Sequence, residues 1–272
     1  MIRTTIDIIK YAKQYPGTAS QKWSIFKILT HLRIKGNSLP SPSEPVSINI
    51  FKHKIFGYDF QALDFLFKEV YIAKDYNFVS TKESPVIIDC GSNIGMSVSY
   101  FKSLYPKSKI IAFEANPDAH YLLKKNCDEN GFVNTQINNV ALADFDGHIS
   151  FFISEYKGTL TGSVLPSRGG TKELKITAVK LSDYIKDLDQ IDLVKMDVEG
   201  AEMPIIRDLH QTGSLSKINE LIVEYHHNMP NEESSLSEFL QIFESSGFDY
   251  SIRTNFFDLK AFQNILIHFY RK

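Results

Sequence analysis

Cysteine is scarce in this chain: Cys90 and Cys127 are the only two in 272 residues. Their spacing fits neither a disulfide framework nor a zinc-binding pair, so a reducing, cytoplasmic setting is expected. Long hydrophobic runs are missing too. No apolar stretch is long enough to span a bilayer, and Met1–Tyr15 carries charged and polar side chains throughout, unlike a secretory leader. The whole chain shows no excess of one charge sign, with a formal net charge of −2. Its parts do: residues 1–80 hold 11 Lys and Arg against 6 Asp and Glu, and the remainder holds 19 against 26. The acidic larger part lacks the broad basic surface that nucleic acid requires, so no nucleic-acid partner is expected. The change of character falls at the polar stretch Ser80–Pro85. We therefore divide the chain into an N-terminal extension, 1–80, and a principal domain, 81–272.

With 43% hydrophobic residues, the chain can bury a substantial core. From Pro85 onward, short β-rich runs alternate with helical stretches. Strands are expected at 86–90, 109–114, 135–140, 191–197 and 220–225, with helices at 94–104, 117–130, 201–210 and 234–246. Two further strands, 148–154 and 174–179, flank a Gly/Ser/Thr-rich loop that reads either as a lid or as a surface connection. The last two strands, 248–253 and 264–270, are joined by too short a link to lie parallel. This rhythm predicts an α/β fold with a doubly wound, mostly parallel sheet. Ligands of such sheets sit beyond the carboxyl ends of the strands.

The Gly-x-Gly-x-x-Gly turn of a dinucleotide site is absent as well. In its place stands Asp89-Cys90-Gly91-Ser92-Asn93-Ile94-Gly95, whose glycines allow close backbone approach to a ligand. Asp89 would repel a pyrophosphate but suits a ligand bearing an ammonium group. Glu114 ends the next strand, where a carboxylate can accept both hydroxyls of a ribose; the alternative is a helix-capping carboxylate before Asn116-Pro117. Further on, Asp197 ends a strand, and Glu199 and Glu202 follow it where a helix dipole favours negative charge. Lys195 shares a strand face with Asp197. The strand end Glu224-Tyr225-His226-His227 offers a histidine as general base, with His227 expected to begin the loop. Asp197, Glu224 and a histidine together can hold Mg²⁺ or another divalent ion.

Four strings in order, Asp-Cys-Gly-Ser-Asn-Ile-Gly at 89–95, Phe-Glu-Ala-Asn-Pro at 113–117, Val-Ala-Leu-Ala-Asp at 140–144 and Val-Lys-Met-Asp-Val-Glu-Gly-Ala-Glu at 194–202, resemble the FkbM family of methyltransferases. The resemblance covers roughly residues 85–227. It implies a seven-stranded class I sheet ending in a reversed strand pair, S-adenosylmethionine as methyl donor, and O-methylation of a hydroxyl on a sugar, glycan or secondary metabolite. By position it assigns Asp89, Gly91, Asn93, Gly95 and Glu114 to the donor, and Ala141 to the adenine through its backbone. Asp197, Glu202, His226 and His227 are the candidates for catalysis.

The extension reads differently. Ile25, Ile28, Leu29 and Leu32 share one face of a basic helix, which can rest on an anionic membrane or, as we favour, pack on a neighbouring domain or subunit. Ser38–Pro45 reads as a linker. The aromatic-rich stretch 51–78 can line an acceptor pocket or cover the sheet. A base-flipping nucleic-acid enzyme would carry an Asn/Asp-Pro-Pro-Tyr motif where Asp-Val-Glu-Gly stands. The alternative to an enzyme is an inactive nucleoside-binding protein of the same fold.

Overall fold

The apolar strand runs and the helices between them form where the alternation of the sequence puts them. The computed structural model describes residues 2–38, 44–155, 162–229, 235–254 and 261–272. Helices α1 (Ile2–Gln14) and α2 (Ala19–Ser38) precede a hairpin of β1 (Val46–Ile50) and β2 (His53–Gly57). Helix α3 (Phe60–Phe67) is N-capped by Asp59, which accepts from the Ala62 N–H, and runs straight into a π-helical turn, Lys68–Ala73. The alternating part follows: β3 (Val86–Cys90), α4 (Met96–Leu104), β4 (Lys109–Phe113), α5 (Pro117–Glu129) and β5 (Thr135–Asn138). Helix α5 starts as expected, with Pro117 in its first turn and Asn116 accepting from the Asp118 N–H.

Beyond β5 the chain leaves the main sheet. The strand expected to reach Val140 ends at Asn138, because Asn138 and Asn139 give their side-chain amides to the carbonyls of Ala112, Glu114 and Ala115. A second sheet then forms from β6 (Ala141–Ala143), β7 (Gly147–Ile153), β8 (Gly162–Ser163) and β9 (Lys172–Lys180), with the short helix α6 (Pro166–Gly169) beside it. Helix α7 (Leu181–Ile185) returns to β10 (Ile191–Met196), α8 (Glu202–Gln211), β11 (Ile218–His227), α9 (Leu236–Ser245), β12 (Phe248–Thr254) and β13 (Gln263–Arg271). His227 is the last residue of β11 and does not begin the loop.

The main sheet has seven strands in the order β12-β13-β11-β10-β3-β4-β5. Strands β11 to β5 are parallel, and β13 runs antiparallel to both of its neighbours. The order turns back beside β3, so the ends of β3, β4 and β10 open onto one crevice.

The N-terminal helices cover one face of this sheet. Ile25, Ile28, Leu29 and Leu32 are all buried, in one core with Leu63 and Phe67 of α3 and Ile87, Ile110, Leu193 and Ile222 of the sheet. The face that a membrane would need is therefore inside. Burying each such side chain stabilises by about 1.5–3 kcal/mol. The β1–β2 hairpin is clasped by α5: Asn126 takes both the N–H and the C=O of Phe56, and Asn130 does the same for Lys54. No helix among the described residues is long and apolar enough to cross a membrane.

Candidate active site

The site begins at the turn after β3. Gly91 (φ 77°), Asn93 (φ 49°) and Gly95 (φ 85°) all hold left-handed backbone. Gly91 has no alternative, since a Cβ there would stand 1.8 Å from the carbonyl oxygen of Asp197. The N–H groups of Gly91 and Ser92 both donate to Phe113 O, and the Asp197 N–H donates to Cys90 O. These bonds lock the ends of β3, β4 and β10 together.

Glu114 stands beside that turn. Its Oε2 accepts from the Asn93 N–H at 2.7 Å and its Oε1 from the Asn116 N–H at 2.8 Å. Each oxygen keeps a lone pair for a further donor. Burial pushes the carboxyl up to about 7, and the two N–H groups oppose the shift. A cavity beside it is lined by Gly91, Asn93, Glu114, Val140 and Ala141 at one end and by Asp197 and Glu199 at the other.

Asp89 does not line that cavity. Its carboxylate is fully buried, accepts from Ser97 Oγ at 2.6 Å and lies 3.5 Å from Lys195 Nζ. The ammonium it meets is thus that of Lys195. Lys195 also donates to Gly91 O at 2.5 Å and lies 3.7 Å from Asp197 Oδ2. Burial works against its charge, but Asp89 and Asp197 hold its pKa above the ordinary lysine value.

At the far end, Asp197, Glu199, Glu202 and His226 gather. His226 Nδ1 lies 2.7 Å from Glu202 Oε1, and Nε2 is 3.1 Å from Glu199 Oε2 and 3.9 Å from Asp197 Oδ1. Nε2 is near enough to feel Glu199 yet makes no hydrogen bond. Burial disfavours the imidazolium, and the charges of Glu202 and Glu199 reverse that, placing its pKa well above the usual 6.5. For Asp197 burial raises the pKa, against the pull of Lys195. For Glu199 burial is outweighed by His226 and Arg168, and its pKa is lowered.

The matching sequence family is the Methyltransferase FkbM domain, over residues 89–250. The chain belongs to the FkbM methyltransferase family. Methyltransferase 1 of Beauveria bassiana is 26% identical over 206 residues, which covers 68% of this chain and 81% of that one. The 2-O-methyltransferase NoeI of Sinorhizobium fredii is 29% identical over 160 residues, 53% of this chain and 64% of its own. Among solved structures, an FkbM methyltransferase from Methylobacillus flagellatus aligns with 99% of this chain and 60% of its own, at 14% identity and a TM-score of 0.50. That likeness concerns the fold.

Within this FkbM methyltransferase the expected site residues are not all together. Gly91, Asn93, Glu114, Ala141 and Asp197 line one cavity, and Glu202 and His226 back its far wall. His227 alternates with His226 along β11 and keeps company with Tyr225, ring centroids 6.2 Å apart, on the other sheet face. Glu224 lies on the His226 face, with its carboxylate bonded to Asn264 Nδ2.

Several residues escaped the sequence reading. Tyr58, Glu69 and Tyr76 come from the N-terminal extension and line the same cavity. Tyr76 donates to Asp197 Oδ2 at 3.4 Å, and the Tyr58 hydroxyl is buried without a partner among the described residues. Their only signal was the aromatic richness of 51–78. Arg168 donates from Nε to Glu199 Oε2 at 2.6 Å. It sits in the Gly/Ser/Thr-rich loop, of which residues 156–161 lie outside the described residues. The described remainder packs on the site rather than crossing open surface, with Ser163 Oγ bonded to Glu199 O at 2.5 Å.

Proposed function

We propose that this methyltransferase uses S-adenosylmethionine and methylates a hydroxyl of a sugar, glycan or secondary metabolite. The observation that carries the reading is Glu114. Its two oxygens are oriented by separate backbone N–H groups and face a cavity that ends at Asp197. In that arrangement Glu114 accepts the two ribose hydroxyls, the Gly91–Gly95 turn receives the amino-acid end, and the backbone at Val140-Ala141 meets the adenine. Tyr58, with a buried unpartnered hydroxyl near Glu114, adds a donor.

When bound, the donor supplies a methyl group already activated on a sulfonium. The chain's own task is then to position the acceptor oxygen and exclude water. Asp197 accepts a hydrogen bond from the acceptor hydroxyl and takes its proton, while Lys195 and Tyr76 hold the carboxylate in place. Glu202 and His226 fix the turn that carries Asp197 and Glu199.

The extension supplies the acceptor side in this reading. A second cavity, lined by Tyr15, Phe65, Glu69, Glu224 and Arg253, lies between the N-terminal helices and strands β11, β12 and β13. Glu69 lines both cavities, which makes the π-helical turn the wall between donor and acceptor.

Calorimetric titration with S-adenosylhomocysteine tests the donor, followed by labelled methyl transfer to saccharide hydroxyls. Binding lost in Glu114→Ala together with transfer supports the reading. Binding without transfer to any acceptor favours the inactive nucleoside-binding protein. No binding by the parent chain would remove the reading altogether.

A further inference from the structure

Three side chains able to ligate a metal converge beside the end of the cavity where methyl transfer is proposed. Asp197 and Glu199 come from the turn after β10, and His226 comes from β11. Their ligand atoms all lie within 4.8 Å of one another. Acidic groups near a histidine are common without an ion, so convergence alone decides nothing.

The histidine supplies the second observation. His226 is 5% exposed, and its Nε2 is buried without a hydrogen bond while aimed at Glu199 and Asp197. Its other nitrogen is committed, because Glu202 Oε1 sits 2.7 Å from Nδ1. Glu202 is itself 2% exposed and also accepts from the Gly200 N–H. A carboxylate at Nδ1 makes that nitrogen a donor and aims Nε2 at the two other carboxylates, so an ion bound there would take the place of a proton on Nε2. A carboxylate behind a histidine whose far nitrogen is open is also the usual outer shell of a metal-ligating imidazole.

Charge points the same way. Four carboxylates, Asp89, Asp197, Glu199 and Glu202, face two permanent cations, Lys195 and Arg168. One divalent ion with a neutral imidazole balances that set. We infer that Asp197 Oδ1, Glu199 Oε2 and His226 Nε2 form a site for a divalent transition-metal cation, with Glu202 as the outer carboxylate that fixes the imidazole.

The geometry needs little change. At metal–ligand distances of about 2.0–2.2 Å, neighbouring ligand atoms stand about 3.0–3.4 Å apart. The 3.1 Å between His226 and Glu199 already fits, while Asp197, 3.9 Å from His226 within a set spread over no more than 4.8 Å, would have to draw in on binding. Arg168 Nε donates to the same Glu199 Oε2, which keeps a second lone pair for an ion, and Lys195 and Tyr76 face the other oxygen of Asp197. One imidazole with two carboxylates suits Mn²⁺, Fe²⁺ or Zn²⁺ better than Ca²⁺ or Mg²⁺, which prefer an all-oxygen shell. Glu224 is not part of the set. Asp197 and Glu199 line the donor cavity, so the open positions face it. That the ion would meet an acceptor hydroxyl there rests on the reading given under Proposed function; the site itself does not.

Full-length protein freed of metal with a chelator is titrated with Mn²⁺, following the free ion by electron paramagnetic resonance, with Zn²⁺ as competitor. The expected result is saturable binding of one ion per chain, displaced by Zn²⁺, with nitrogen coupling in the pulsed spectrum of the bound ion. His226→Gln should lose both, and Glu202→Gln should weaken binding about 10–100-fold while keeping the nitrogen coupling. A cooperative melting transition of each variant serves as the fold control, because donor binding draws on the turn that His226 helps to hold. Should His226→Gln not fold, Glu199→Gln carries the same test through affinity. No saturable binding of either metal, or binding unchanged in the ligand variants, overturns the proposal. Metal binding without S-adenosylhomocysteine binding would leave this site standing and overturn the donor reading instead.

Discussion

Gly91 and Asp197 touch backbone to side-chain position: a Cβ added to Gly91 would lie 1.8 Å from the carbonyl oxygen of Asp197. The turn that begins the donor cavity is therefore seated directly on the strand end that closes it. Neither can move without the other. The relationship joins two motifs separated by more than a hundred residues.

Gly91→Ala should accordingly fail in both roles. It adds a left-handed backbone strain at φ 77° to a collision with backbone, which cannot step aside. A loss of about 3 kcal/mol or more in urea unfolding is expected, with S-adenosylhomocysteine binding abolished. Near-parental stability would mean that the β3 and β10 ends separate easily.

Donor affinity should rise with pH around neutrality. Glu114 is pushed up to about 7, and its ionised form is the acceptor that ribose hydroxyls need. Calorimetry across pH should show affinity increasing through that range, and Glu114→Gln should be weaker and flat. A pH-independent parent chain would contradict Glu114 as the ribose contact.

Glu69 should make the fold less stable in alkali. Its pKa is raised to about 8, first by burial and then by the charge of Asp197. A carboxyl raised in the folded state contributes stability that is complete below its unfolded value of 4.5 and is lost as pH climbs through 8. Glu69→Gln should therefore melt above the parent at a pH of about 9 and show no such advantage at about 4. Equal melting temperatures at both would remove the burial argument.

Asn126→Ala should loosen the N-terminal hairpin. The side chain is 1% exposed and bonds the N–H and C=O of Phe56 and the carbonyl of Ile94. Leaving these buried groups unpaired should cost about 2 kcal/mol, measured by denaturant unfolding.

Deleting residues 1–80 should give no cooperatively folding remainder. The deletion strips the cover from Ile87, Ile110, Leu193 and Ile222, which share their core with Ile25, Leu29 and Phe67. A truncated chain with a sharp melting transition would show that the extension is a separate unit.

The main sheet was legible in the sequence because its strands are covered on both faces. Val86–Cys90, Lys109–Phe113 and Ile191–Met196 read as continuous apolar runs, and helix α5 announces itself through Asn116-Pro117. Glycines at 91 and 95 marked the turn, since left-handed backbone beside a tight contact admits little else. Glu114 was legible for a similar reason, standing at a strand end with a helix start behind it.

What only the tertiary structure decided is which charges meet. Asp89 reads as a ligand for an ammonium group, yet the fold brings Lys195 to it from a strand more than a hundred residues away. His226 and His227 are indistinguishable as a dipeptide, and the pleat of β11 sends them to opposite faces, one to Glu202 and one to Tyr225. Tyr58, Glu69 and Tyr76 had no signal beyond the aromatic richness of 51–78, and Arg168 had none; the first three reach the cavity because the extension covers the sheet face, and Arg168 reaches Glu199 because the loop before β9 folds over it. Periodicity and turn chemistry are local properties, written residue by residue. Pairing between buried charges depends on distances of a few ångströms across strands, which nothing short of the packed sheet specifies.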